Sequence, residues 1–139
     1  ALDPPLRGAW RLASTAPGQL DALALAPVDE RALASGEVRV AVRAAGLNFR
    51  DVLMALGMYP GGLQPLGSDF AGVVVEVAAA VADLAPGDRV MGLGSGVFGP
   101  WLVVDRRLIT AMPSAWDFAQ AAAVPTARSR STSAGVPVT

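Results

Sequence analysis

The chain has 139 residues, 53% of them hydrophobic, with a formal net charge of −1, which is enough for one domain with a real core and gives no electrostatic case for nucleic acid or an anionic membrane. It contains no Cys, no His and no Lys, so neither a disulfide framework nor the usual zinc site can be built, and no clustered Asp/Glu spacing suggests any other metal site. No apolar run approaches the roughly 20 residues of a membrane helix and no basic start precedes an apolar stretch as in a signal peptide, so a cytoplasmic location without membrane contact is expected.

In chain order, residues 1–9 hold Pro4, Pro5 and Gly8 and read as a linker. Trp10-Arg11-Leu12-Ala13 reads as a short strand, residues 20–28 as a second, and residues 29–36 as a polar turn. Glu37-Val38-Arg39-Val40-Ala41-Val42-Arg43 alternates polar and apolar, the pattern of a strand with one wet face. Asn48 then stands where a helix begins, with Phe49, Val52, Leu53 and Leu56 on one apolar stripe and Gly57 as its stop. After a loop containing Pro60, Gly61, Gly62 and Pro65, residues 70–81 read as a long strand with a bend or bulge at Gly72. Pro86-Gly87-Asp88 is a turn, followed by strands at residues 89–91, 101–104 and 108–110. Residues 116–124 predict a short Ala-rich helix with Ser114 as its cap, and the aperiodic residues after 126 predict a loose tail. Many short strands between Gly/Pro turns predict a mainly β (α+β) domain, a small, partly open barrel with two short helices. Nothing alternates strand and helix long enough for a parallel nucleotide-binding sheet.

Gly94-Ser95-Gly96-Val97-Phe98-Gly99 satisfies G-x-G-x-x-G literally. That motif binds phosphate only when it opens a helix, whose N-terminal N–H groups face the ligand. Here Pro100 and the β-like Trp101-Leu102-Val103-Val104 follow, so the run reads as a glycine loop between strands.

Tyr59, the one tyrosine, lies on the turn after the first helix. From position alone it reads as an amphipathic ring with a wetted hydroxyl. Asn48 is an apt helix cap. Asp51 either completes that cap reciprocally or pairs with Arg50 or Arg43. Asp69, between Ser68 and the long strand, is expected to make a local turn bond or a surface pair.

Residues 46–72, with Gly-Leu-Asn-Phe-Arg-Asp-Val-Leu, Gly57-Met58-Tyr59-Pro60-Gly61 and Leu66-Gly67-Ser68-Asp69-Phe70-Ala71-Gly72, resemble the substrate-side domain of the enoyl reductases in modular (type I) polyketide synthases. Pro86-Gly87-Asp88-Arg89-Val90-Met91-Gly92 and Trp116-Asp117-Phe118-Ala119-Gln120-Ala121-Ala122 match in register. These enzymes belong to the zinc-free branch of the medium-chain dehydrogenases/reductases. The resemblance implies a GroES-like substrate-binding domain over residues 10–126 and a loose tail at 127–139, where Ala127-Arg128-Ser129-Arg130-Ser131 departs from the family, with the nucleotide-binding domain absent. It implies NADPH held mainly by that second domain, no zinc, and reduction of the 2,3-double bond of an acyl-phosphopantetheine thioester on an acyl carrier protein, beside neighbouring synthase domains. Tyr59 becomes the catalytic proton donor to C2, associated with a 2S methyl branch. Asn48 lies near the nicotinamide, and Phe49, Met58 and Asp69 line the substrate cleft. The chain alone is expected to be inactive. A quinone-oxidoreductase-like enzyme of the same superfamily and a non-catalytic GroES-like scaffold module are the alternatives.

Overall fold

The structure, a computed structural model, describes residues 9–16, 18–28, 30–58 and 65–124. Tyr59, the linker before Ala9 and the tail beyond residue 126 lie outside them.

Strands β1 (Ala9–Ser14) and β2 (Leu23–Val28) form an antiparallel pair. Strands β3 (Glu37–Gly46), β4 (Asp69–Val77), β5 (Arg89–Leu93), β6 (Trp101–Asp105) and β7 (Ile109–Ala111) form a second antiparallel sheet in the order β6-β3-β4-β5-β7. Helices α1 (Phe49–Ala55) and α2 (Phe118–Ala122) are short. The two sheets do not close on each other. Instead the Leu12 N–H donates to the Phe98 carbonyl (2.8 Å), and the Gly18 N–H to that of Ala55 (3.0 Å), which moors the β1–β2 hairpin against the barrel and α1. The expected mainly β, partly open barrel is what the chain forms.

The period of two along a strand explains why the middle of the sheet reads as an apolar run. Val38, Val40, Phe70, Val74, Val90 and Leu102 point into the barrel core. The residues between them, Ala71 and Met91, point to the opposite face, where Ala121 and Ala122 of α2 cover them. Phe70 is fully buried, a burial worth about 2 kcal/mol.

Several boundaries differ from the sequence expectation, among them these three. Residues 20–22 form a 3₁₀ turn before β2 begins at Leu23. Strand β4 stops at Val77, because its partner β3 starts at Glu37 and the ladder runs out, the last bond being Ala78 N–H to the Glu37 carbonyl (3.0 Å). Val81 and Leu84 then enter the core from a turn. The cap of α2 is Asp117, not Ser114: its carboxylate accepts from the Gln120 N–H (2.7 Å) while the Gln120 side chain accepts from the Asp117 N–H (3.0 Å), a reciprocal capping box.

Glu37, at the start of β3, accepts two bonds from the Arg31 guanidinium (2.7 and 2.8 Å) and one from the Ala34 N–H (2.8 Å). The Arg31 bonds, then that of Ala34, lower its pKa from 4.5 to about 2. A carboxyl depressed on folding stabilises the native state above its unfolded pKa and loses that contribution as pH falls through its folded pKa. The stability difference between the native sequence and Glu37→Gln should therefore be fully present above pH 4.5, shrink below it and be small by pH 2. Thermal unfolding of both proteins across that range checks this, and a difference as large at pH 2 as above pH 4.5 would contradict it. Because the pair is exposed, 0.5 M salt should shrink the effect.

Candidate functional site

The candidate residues gather where β3 ends, α1 begins and β4 begins. Gly46 pairs with Asp69 across the sheet, so the chain leaving β3 and the chain entering β4 stand side by side. Asn48 caps α1 in extended conformation (φ −108°, ψ 153°). Its side-chain amide donates to Asp69 Oδ2 (3.1 Å) and Ser68 Oγ (3.4 Å). Of the alternatives open for Asp51, the reciprocal cap holds: Oδ2 accepts from the Asn48 N–H (3.0 Å). The other oxygen, Oδ1, accepts from the Gly67 N–H (2.9 Å), 16 residues away in sequence. One carboxylate thus ties together both ends of the segment within which Tyr59 lies.

Asp69 departs from the expectation of a surface pair. It is 3% exposed, as is Asp51, and it holds the Asn48 amide rather than facing solvent. The physical reason is the sheet register: Asp69 is the first paired residue of β4 and is overlaid by the start of α1.

The face that α1 buries also differs. The stripe of Phe49, Val52, Leu53 and Leu56 is not the inward one, since Asp51, Met54 and Ala55 are the buried residues. Phe49 is 69% exposed, with Leu47 at 73% and Met58 at 66%. A helix of two turns is oriented by its anchors, and the Asp51–Gly67 bond turns the Asp51 side inward. The stop at Gly57 is as expected: with φ +73° it ends the helix in a Schellman motif, Gly57 N–H to Met54 O (3.1 Å) and Met58 N–H to Leu53 O (2.8 Å). Met58 is thereby fixed immediately before Tyr59.

The glycine run at 94–99 supports this site from beside it. The Gly94 N–H donates to Ser68 O (2.8 Å), Gly96 N–H to Gly67 O (3.1 Å) and Gly99 N–H to Val97 O (3.0 Å). Those amides are engaged within the protein, and strand β6 follows rather than a helix. They cannot cradle a pyrophosphate. Among the described residues, no three His, Cys, Asp or Glu side chains converge as metal ligands, and no helix is long and apolar enough to cross a membrane.

The arrangement sets a fixed carboxamide at Asn48 beside exposed apolar surface at Leu47 and Phe49.

Residues 34–114 match the alcohol dehydrogenase GroES-like domain family. The chain belongs to that family. This GroES-like domain is 57% identical over 126 residues to the spectinabilin polyketide synthase system protein NorB of Streptomyces orinoci, a match covering 89% of the chain and 6% of NorB. It therefore spans a small fraction of the curated relative's length. Among solved structures it is similar to the CurK enoyl reductase (TM-score 0.79, 27% identity, 86% of this chain and 40% of that one). It is also similar to the quinone oxidoreductase of Escherichia coli in complex with NADPH (TM-score 0.72, 27% identity, 83% and 36%). The resemblance to the enoyl reductases of modular polyketide synthases, read from the residues around Asn48 and Tyr59, is borne out at the level of family and kinship.

Proposed function

We propose that this GroES-like domain is the substrate side of an NADPH-dependent enoyl reductase in a cytoplasmic polyketide synthase, reducing the 2,3-double bond of an enoyl thioester carried on phosphopantetheine. The observation that carries this reading is the exposed rim of Leu47, Phe49 and Met58 around an Asn48 amide held by buried Asp69. Kinship to NorB at 57% identity supports it over a quinone reductase, whereas the solved CurK enoyl reductase and Escherichia coli quinone oxidoreductase are equally similar at 27%.

In this reading, Asn48 receives the nicotinamide end of a cofactor whose nucleotide half is bound by a second domain. When bound, the nicotinamide supplies the hydride that C3 of the conjugated thioester accepts. The chain's own residues orient and protonate. Met58 and Phe49 hold the acyl chain and keep water off it. Asp69 acts through Asn48, keeping its amide oriented. The Tyr59 phenol gives its proton to C2 and sets the configuration there, 2S where the unit carries a methyl branch. Residues 1–139 by themselves are expected to oxidise no NADPH with a crotonyl thioester.

The test is Tyr59→Phe in a protein joined to a nucleotide-binding domain. The expected result is loss of configurational control at C2, with reduction slowed by about a hundredfold as a positioned acid is removed. Chiral analysis of the 2-methyl product checks it. Unchanged configuration would remove Tyr59 from this role.

A further inference from the structure

A trough of 550 Å³ runs between the β1–β2 hairpin and the end of β3. Trp10, Leu12, Leu25, Val42 and Phe98 line it. Leu12 and Leu25 face each other across the hairpin, and Trp10 lies two residues from Leu12 on the same side, so the hairpin presents one apolar face to the trough. A single charged residue lines it, Arg43. The β3–β4 register slips between Val42 and Ala44, leaving Arg43 as the unpaired extra residue of a bulge. It is exposed.

Arg43 differs from most guanidiniums of the chain. Arg31, Arg39, Arg106 and Arg107 each hold a carboxylate, and Arg89 bonds the Trp116 carbonyl and lies over the Phe118 ring. Arg43 enters none of the ion pairs among the described residues. A cation without a counter-charge at the rim of an apolar trough complements a ligand that is apolar along its length and anionic at one end. From Arg43 the trough lining follows β3 to Ala45, and Asn48 stands three residues beyond, within roughly 17 Å of extended chain from Arg43.

We propose that Arg43 anchors the phosphate of an acyl-pantetheine thioester, whose arm lies in the trough with its thioester end at Asn48. This rests on the enoyl-thioester reading above and adds to it the place where the carrier arm is gripped. A phosphate on Arg43 forms charge-assisted bonds that a phosphate-free thioester lacks, while the apolar trough serves both.

The test titrates the 15N-labelled 139-residue chain with crotonyl-pantetheine 4′-phosphate and with crotonyl-pantetheine, following amide shifts. The phosphorylated thioester should bind about tenfold more tightly than the other. In Arg43→Ala that advantage should fall below about twofold, in Arg43→Lys it should survive in part, and in Arg107→Ala, which removes a remote exposed charge, it should be unchanged. No phosphate advantage in the native sequence, or one that persists in Arg43→Ala, would overturn the proposal. The phosphate-free thioester separates the two ideas. If it shifts Asn48 and Phe49 while phosphate adds nothing, the anchor at Arg43 fails and the enoyl-thioester reading stands. If neither thioester shifts Asn48 or Phe49, both fail.

Discussion

Asp51→Ala should destabilise the domain by about 3 kcal/mol, the largest loss expected from any single side chain near the site. Asp51 is 3% exposed and accepts from two backbone N–H groups, of Asn48 at 3.0 Å and of Gly67 at 2.9 Å. Each bond to a charged acceptor is worth roughly 1.5–3 kcal/mol, and each donor left without a partner in the interior costs a further 1–3 kcal/mol or so. Removing the carboxylate also relieves its own desolvation, which offsets part of the loss. Urea denaturation of the native sequence and the variant checks the figure, with the midpoint falling at an unchanged slope. Asp51→Asn gives a sharper comparison. Its amide keeps one acceptor but presents N–H to the other donor, so it should lie between the two. A loss under about 0.5 kcal/mol for alanine, the size of an ordinary surface change, would show that the Asp51 bonds do not hold the segment between Asn48 and Gly67 in place.

Gly72→Ala should be comparably damaging for a steric reason. A Cβ at Gly72 would stand 2.2 Å from the carbonyl oxygen of Ala41 and 2.8 Å from Val40 Cγ1. Both belong to β3, the strand hydrogen-bonded to β4 at this point. The first contact is with backbone, which cannot rotate aside, and the position is buried, with α2 covering the neighbouring Ala71. Strand β3 must move away or the bulge at Arg43 must shift. Overpacking of this kind costs about 3 kcal/mol, which lowers the melting temperature by roughly 10 °C in a domain of this size. Calorimetry measures it, and a change under about 2 °C would mean that the two strands separate at little cost.

The bulge expected at Gly72 is an instance of what could be read in advance. A glycine inside a β-branched run signals close backbone approach, and the register slip lies beside it. Only the bulged residue, Arg43 on the facing strand, had no local signal. The same division holds at α1. Its start at Asn48 and its stop at Gly57 depend on neighbours within five residues, and both were legible. Its buried face was not. The stripe through Phe49, Val52, Leu53 and Leu56 has the spacing of a core face, yet Phe49 is among the most exposed apolar residues of the chain. An apolar stripe on so short a helix marks a surface that wants covering, and it cannot say whether this domain or another covers it.

Among the site residues, Asn48 lay at the helix entry as expected, and its amide went to Asp69, 21 residues away. Asp69 looked like a turn residue because Gly67 and Ser68 precede it. The fold made it a buried support.

From composition, spacing and turn chemistry alone come the mainly β barrel, the strand at Glu37, the two short helices, the absence of Cys and His ligands, and the reading of the glycine run as a connection between strands, while the family came from the resemblance of the motifs around residues 46–72. These depend on patterns within a few residues, where backbone preference and side-chain period act directly. Which face of α1 turns inward, where the carboxylates of Asp51 and Asp69 are satisfied, what engages the amides of Gly94 and Gly96, and that Arg43, beside an apolar trough, enters no ion pair among the described residues were settled by contacts between segments far apart in the chain. Those contacts exist only once the sheet has brought the segments together, because a buried polar group takes whatever partner the packed backbone places within about 3 Å of it.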